Sequence, residues 1–489
     1  MARDSTIRRF SSLAVQNRAT KGSTIKNGAA VATPPAPVPA TTPRIQSPAR
    51  QPTPAESSER LYSGFARLTL LLLGFYVFEH TTFAGELLAN FAHIRFPVVA
   101  ITGAVVTVCA LFSGRLLQFL RTPLAIPWIF LYAWMVLASL FSFWARASVG
   151  FVIPYGLRFQ FMPFLFCALA VSTRAVRDLL TVAGSGLLVV LALCITKGTL
   201  YDGRLVVPAT DMLNPNDLAF HLLWLSMLAA VFLLNRGVGG KLLSAAMIPL
   251  SVWYMLKTGS RANLLTFIVL FGVVFVLVPR GTRALLALGT PVAVIVVLTV
   301  LPRSTLNRMM AIVLTSSEQE VATRTLQTKD AELRGAIGSQ AARMELQKLA
   351  ISATLRHPVF GVGPLMFENE TAANILKNTG QKAPWQTAHN SYLKISSETG
   401  VIGFLLYLWT LVAAFRLTYD CYKRTQKRPE LKIANGNSVA ILLALVVFGF
   451  GSFFCDIVYL SYLGITLGLA SANYLAVAGD EAGLETAIG

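Results

Sequence analysis

The chain has 489 residues, 54% of them hydrophobic and only 13% charged, with a mean hydropathy of +0.60. Soluble globular chains carry about 25% charge, so a water-soluble fold is excluded, and recurring apolar runs of ~18 residues or more mark transmembrane helices. The net charge of +19 does not point to nucleic acid, because Lys and Arg concentrate in short segments between the apolar runs, where they report orientation in a membrane. Lipid offers the backbone no hydrogen-bond partners, so spanning segments are helices or closed barrels. Unbroken apolar runs, rather than alternation, exclude the barrel. The fold class is therefore an all-α polytopic membrane protein.

Residues 1–60 differ from the rest. They hold eight of the 23 prolines, from Pro34 to Pro54, and nine Lys/Arg against three acids. Such a segment cannot bury a core and is expected to be a disordered basic tail, suited to the cytoplasmic face of a membrane. The first apolar run begins only after Leu61, which argues against a secretory signal.

About twelve spans follow by the ~20-residue criterion. Nine fall within 61–301, at 61–79, 94–113, 124–144, 155–172, 178–197, 217–235, 241–257, 262–279 and 284–301. Three fall within 399–476, at 399–418, 437–454 and 456–476. A water-loving segment, 302–398, separates the two groups, and 477–489 reads as a cytoplasmic C-terminal tail. With a cytoplasmic N-terminus the inner loops carry Arg115 and Arg121; Arg174 and Arg177; Arg236 and Lys241; Arg280 and Arg283; and Lys423, Arg424, Lys427, Arg428 and Lys432. Each is basic, as the positive-inside rule requires. The large loop then lies outside; its eleven basic and eight acidic residues do not count against this, since loops beyond ~60 residues are exempt from the rule. Cys109, Cys167, Cys194, Cys421 and Cys455 lie in or beside apolar runs and read as neutral thiols, with no disulfide framework or metal spacing.

That topology leaves Arg146, Arg158, Lys197, Arg204, Lys257 and Arg261 at or near outer ends of spans. Each can snorkel to lipid phosphate; several converging would form an anion site, for which the forked guanidinium is well suited. Asn214-Pro215-Asn216-Asp217 reads as a turn and helix cap leading into the sixth span. Thr258-Gly259-Ser260-Arg261-Ala262 reads as a tight turn that puts Arg261 at a helix N-terminus, where exposed N–H groups attract anions. Gly237 to Lys241 faintly resembles a phosphate loop, but Leu242 stands where Ser or Thr is needed, and no strand precedes it.

Within the loop, Ala336–Leu355 has helical spacing, with Met344, Leu346, Leu349 and Ala353 as an apolar stripe beside Arg343, Glu345 and Lys348. His357-Pro358 ends that helix, and Gly361-Val362-Gly363-Pro364 forms a sharp turn. The run from Ala388 to Gly403 leads into the next span. If helical from its start, it sets His389, Tyr392, Leu393 and Ser396 on one face, with Glu398 near the opposite one. A histidine at a membrane boundary is often structural; it can also act as a base where a lipid-anchored head group meets water.

The sequences HPVFGVGP and AHNSYLKISSETGVIG, in this order and running into a span, resemble the O-antigen ligase and O-antigen polymerase superfamily of bacterial envelope polysaccharide glycosyltransferases. Pro358, Gly361 and Gly363 match its turn; His389, Asn390, Gly400 and Gly403 match its second motif; NPNDLA and TGSRA resemble its earlier segments. The likeness covers roughly 200–403. It implies transfer of a glycan from an undecaprenyl-diphosphate-linked donor to a sugar of lipid A-core, on the periplasmic side of the bacterial inner membrane, with the large loop periplasmic. The diphosphate is already a good leaving group, so no nucleotide, metal or other cofactor is expected, and direct attack would invert the anomeric carbon. His389 is then the expected general base, and Arg204 and Arg261 bind the diphosphate. Arg343, Arg158, Asn216 and Tyr392 are further candidates for substrate contact. A repeat-unit polymerase, with another lipid-linked glycan as acceptor, is the nearest alternative; the presence of one large outer loop rather than two favours the ligase. A protein O-oligosaccharyltransferase and a non-enzymatic glycolipid transporter are the remaining alternatives.

Overall fold

Helix forms over every expected span in the computed structural model, which describes residues 54–94, 96–201, 203–208, 210, 212, 214–301, 331–380 and 386–488. The expected basic tail as far as residue 53, Asp202 and the first part of the large loop, 302–330, lie outside the described residues. The helices are α1 (Pro54–Thr82), α2 (Ala84–Phe91), α3 (Val98–Phe112), α4 (Ala125–Leu140), α5 (Ala145–Tyr155), α6 (Met162–Leu169), α7 (Thr173–Thr196), α8 (Pro215–Asn235), α9 (Val238–Lys257), α10 (Arg261–Leu277) and α11 (Arg280–Val300). Then come α12 (Ala331–Arg356) and α13 (Phe367–Thr379) of the large loop, followed by α14 (Ser391–Thr425), α15 (Lys432–Gly451) and α16 (Ser461–Ile488). A short antiparallel hairpin, β1 (Thr199–Tyr201) with β2 (Arg204–Val206), pairs Tyr201 with Arg204. The sequence had suggested only a loop there.

Among the described residues, eight helices are long and apolar enough to cross a bilayer: α5 continued by α6, α7, α8, α9, α11, α14, α15 and α16. The pair α1–α2 passes the same test together but is bent by 61°. The apolar helices α3, α4 and α10 are shorter; fifteen residues rise only about 23 Å, against a hydrocarbon core of ~30 Å. Length and composition thus give eight spans, or nine with the bent pair, rather than the twelve expected. The expected C-terminal tail continues α16 to Ile488, where Glu481 pairs with Arg424 and Arg428 of α14 and its connection.

Helix α8 is the axis of the bundle. It is buried from Leu218 to Phe232 and packs on α7, α9 and α15. Gly184 of α7 faces the Ala229 backbone so closely that a side chain would collide, the close approach small residues permit between membrane helices. By contrast α11 buries none of its apolar window, and Leu285, Leu288, Val292 and Ile295 face outward.

Polar contacts sort the connections into two ends. At one end Arg236 pairs with Asp178 at 2.7 Å, Thr173 donates to Asp480 at 2.9 Å, and Asn235 donates to the Ile433 carbonyl at 3.0 Å. Three of the basic clusters expected on one side of the membrane, those at Arg174/Arg177, Arg236/Lys241 and Lys423–Lys432, are therefore neighbours. At the other end Arg204 reaches the α9–α10 turn, Trp134 of α4 reaches Thr399, and Ser391 reaches the α15–α16 turn.

The two glycine motifs of the large loop interlock at that second end. The Val362 and Gly363 amides donate to the Ser397 and Glu398 carbonyls at 2.8 and 2.9 Å, and Val401 N–H donates to Pro358 O at 2.8 Å. This docking requires a break in α14 at Gly400, whose φ is +72°. A Cβ on Gly400 would collide with the Val359 carbonyl. Gly400→Ala is expected to lower the thermal midpoint of the purified protein, since the left-handed backbone alone costs about 1–2 kcal/mol with a side chain present. Gly289→Ala, in α11 with nothing near its would-be Cβ, should be neutral or slightly stabilising. Equal midpoints for the two variants would contradict the interlock.

Candidate functional site

At the end where the motifs dock lies a cavity of about 460 Å³, lined by Asn214, Asn216, Ala342, Arg343, Leu346, Gln386, Thr387 and His389. Three separate stretches build it. Asn214 caps α8, its side chain accepting from the Asn216 amide, and Pro215 follows at the first helical position, where its missing N–H is no loss. Ala342, Arg343 and Leu346 share one face of α12. Gln386, Thr387 and His389 come from the chain entering α14.

His389 is not helical. Asn390 caps α14 by accepting from the Tyr392 and Leu393 amides, so the helix starts at Ser391. His389 itself has a φ of +49°, a conformation uncommon for a side-chain-bearing residue. The expected face shared by His389, Tyr392, Leu393 and Ser396 therefore loses its first member: the cap turns the chain, and the imidazole lines the cavity beside Arg343. Its position is fixed by its neighbours. Ser391 N–H donates to Ser452 O at 2.8 Å, Ser391 Oγ donates to Cys455 O at 2.7 Å, and Ile457 N–H donates to Ser391 Oγ at 2.9 Å.

Burial, and next the positive charge of Arg343, lower the pKa of His389 from the usual 6.5 to about 4; Asp456 opposes this and Lys394 adds to it. At neutral pH the ring is uncharged and can accept a proton.

Asn216 organises the opposite wall. Its side-chain oxygen accepts from Arg204 Nη2 at 3.0 Å and Ser260 Oγ at 2.9 Å, while its backbone oxygen accepts from Asn263 Nδ2 at 2.9 Å. Arg204 Nε also donates to the Thr258 carbonyl at 2.9 Å. The segments NPND and TGSRA, well separated in sequence, thus meet. Arg261 opens α10, as the sequence suggested, and Ser260 caps it. Arg204 stands behind Asn216, Arg261 is the first residue of α10, and neither is among the residues lining the cavity.

The other candidates lie apart. Arg158 sits in a π turn at Gly156–Gln160, its carbonyl accepting from Tyr76 Oη, and it lines a different cavity with Glu79 and His80. Tyr392 donates to Gly449 O at 2.6 Å and packs on Phe453, joining α14 to α15. Lys197 lies over the Phe91 ring and Lys257 over Trp253 and Tyr254. On α12, Met344 is exposed whereas Ala350 and Ala353 are buried, because it is the second half of that helix that packs on α14.

Two features escaped the sequence reading. Glu398 is fully buried, accepting from Leu365 N–H at 2.9 Å, Phe367 N–H at 3.3 Å and Tyr459 Oη at 2.5 Å. Lys394 is buried between Glu368 of α13 and Asp456 of the α15–α16 turn, 2.8 Å from each, and Asp456 also accepts from Thr387 in the cavity wall. The available signal was a lysine among apolar neighbours (Leu393, Ile395), since a buried ammonium needs partners. Lys394→Met is expected to destabilise the protein by about 3–5 kcal/mol, because it strands two carboxylates. Adding Glu368→Gln and Asp456→Asn should recover part of the thermal midpoint; a single substitution without effect would show the triad contributes nothing.

No curated protein matches the chain at a significant level. Residues 242–408, from α9 through the first half of α14, match the protein-family model described as O-antigen ligase. That stretch contains TGSRA, the Gly361–Gly363 turn, Arg343 and His389, while Arg204, Asn216 and Asp456 lie outside it and complete the same site. The chain, with several helices long and apolar enough to cross a membrane, therefore carries a domain similar to the O-antigen ligase family over residues 242–408.

Proposed function

We propose that this protein transfers a glycan from an undecaprenyl-diphosphate-linked donor to a sugar hydroxyl of lipid A-core, at the periplasmic face of the bacterial inner membrane. The observation carrying this reading is one cavity, at one end of the bundle, that holds a neutral imidazole beside a guanidinium. Its orientation in the membrane, with both termini cytoplasmic, rests on the basic clusters, three of which gather at the opposite end.

In this reading the acceptor hydroxyl loses its proton to His389 as its oxygen attacks the anomeric carbon. The bond to the diphosphate breaks, and the leaving group departs with the electron pair as undecaprenyl diphosphate. Attack from the face opposite the leaving group inverts the anomeric centre. Arg343 is the cation that faces the cavity and is suited to the diphosphate charge. Arg204, bonded to Asn216, and Arg261, at the start of α10, lend positive potential to the same wall, and Asn214 and Asn216 offer amides to phosphate or sugar. Tyr392 acts by holding the start of α14. Repeat-unit polymerisation would use the same donor and base and differs only in the acceptor. What accumulates when the gene is deleted separates the two: unligated long polymer for a ligase, single lipid-linked repeat units for a polymerase.

His389→Asn is the direct test, because Asn tolerates the left-handed backbone that His389 adopts. With purified protein and lipid-linked donor, transfer should fall by ~10²–10⁴-fold while donor binding persists; undiminished turnover would remove His389 as base. The neutral imidazole is the active form, present above its pKa and lost as pH falls through about 4. The acid limb of kcat/KM should therefore lie near pH 4, and that of kcat higher, because a bound dianion favours the imidazolium. Arg343→Gln should move the kcat/KM limb up toward 6.5. Limbs that stay together and do not move would contradict this electrostatic account.

A further inference from the structure

A second cavity, of about 390 Å³, lies between the α1–α2 bend, the start of α3, the π turn and the start of α16. It belongs to the same end of the bundle as His389. Its wall from Leu460 to Tyr462 directly follows the turn that Ser391 holds, and His221, in the second turn of α8, bonds both Thr81 O and Tyr462 Oη at 3.0 Å. Two deeply buried polar atoms at this cavity lack a hydrogen-bond partner among the described residues: Glu79 Oε1 and His80 Nε2. Glu79 is 1% and His80 9% exposed. The other Glu79 oxygen accepts from Thr102 Oγ1 at 2.5 Å, which fixes the carboxyl in place. Leaving such atoms without partners costs about 1–3 kcal/mol each, so their presence points to a ligand that hydrogen-bonds them.

The lining decides which ligand. An alkyl tail alone would leave both polar atoms unmet. A phosphate is disfavoured, because among the described residues of the lining Glu79 and Glu86 bring two carboxyls against the guanidinium of Arg158. A sugar fits: its hydroxyls both donate and accept, matching carboxyl, imidazole and guanidinium, and its C–H faces suit the rings of Phe83, Phe96 and Phe159. The volume lies within the ~300–1,000 Å³ range of small-molecule sites. We propose that this cavity binds a sugar of a glycolipid head group. Resting on the transfer reading above, it is the place where the acceptor is held before its hydroxyl reaches the His389 cavity.

The test uses the full chain in lipid nanodiscs and three photoactivatable probes of equal chain length: an alkyl glucoside, an alkyl phosphate and an alkanol. The glucoside should label peptides carrying residues 79–100 or 158–162 more strongly than either other probe. Glu79→Gln should weaken that labelling about tenfold, the equivalent of one good hydrogen bond. Gly85→Leu should also abolish it, by occupying a cavity wall where a Cβ meets only Val99 at 3.6 Å; it carries the test if Glu79→Gln does not fold. Equal labelling by the alkanol, preference for the phosphate, or labelling indifferent to both variants would overturn the proposal. Glycan transfer is assayed on the same samples, where Glu79→Gln should raise the acceptor KM at unchanged donor KM. Transfer without sugar-selective labelling sinks this site alone. Sugar-selective labelling with no transfer by the unaltered protein keeps the sugar site and sinks its role as acceptor site.

Discussion

The carboxyl group of Glu398 is the point on which the site end of this molecule depends. It is buried without an ammonium in contact, and it is held by two backbone amides of the loop, at Leu365 and Phe367, and the phenol of Tyr459. Those donors come from the Gly-rich turn, the start of α13 and the connection before α16. One acid thus ties α14 to two stretches far apart in sequence, residues 365–367 and Tyr459. The kink at Gly400 follows from this: the turn at Gly361–Gly363 docks on the α14 backbone only where the helix is open, and Gly400 opens it.

Below the cavity the Lys394 triad performs a related task with opposite chemistry. A buried ammonium between two carboxylates is costly to desolvate and strict about geometry. It therefore fixes α13, α14 and the α15–α16 turn relative to one another, and through Thr387 it reaches the cavity wall itself. The opposite wall is fixed by neutral and cationic hydrogen bonds centred on Asn216. His389, between these two rigid walls, adopts a left-handed backbone, and such strain persists only where the surroundings over-determine it.

The same arrangement sets the electrostatics. Burial and Arg343 keep the imidazole neutral. A base with a pKa near 4 is weak, yet an anionic donor in this small space would strengthen it on arrival. The proton acceptor and the cation that favours the donor are thus coupled through the donor's own charge, which makes the base strongest when the substrate is present. The second cavity is tied to the first through α8, whose first turn lines one and whose His221 bonds Tyr462 in the wall of the other, and through the turn before α16, which Ser391 holds.

Much of this was legible in the sequence. Apolar runs long enough for a bilayer determined the helices, since backbone polar groups in lipid have no other satisfaction. The cap at Asn214 was readable because capping is a local matter of a side-chain oxygen two or three residues from an orphan amide, and the turn before Arg261 was readable as a helix start. The glycines at 361, 363 and 400 and the histidine at 389 were visible as motifs. Only the tertiary structure decided that the two glycine motifs lock into each other, that Arg204 serves Asn216, that Arg158 belongs to another cavity and that Lys394 and Glu398 are buried. It also set the lengths of α3, α4 and α10, which are shorter than the apolar spans expected there. Each of these depends on which distant segments come within a few ångströms, and on how a chain turns at a cap or a break; spacing along one strand of sequence carries no record of either.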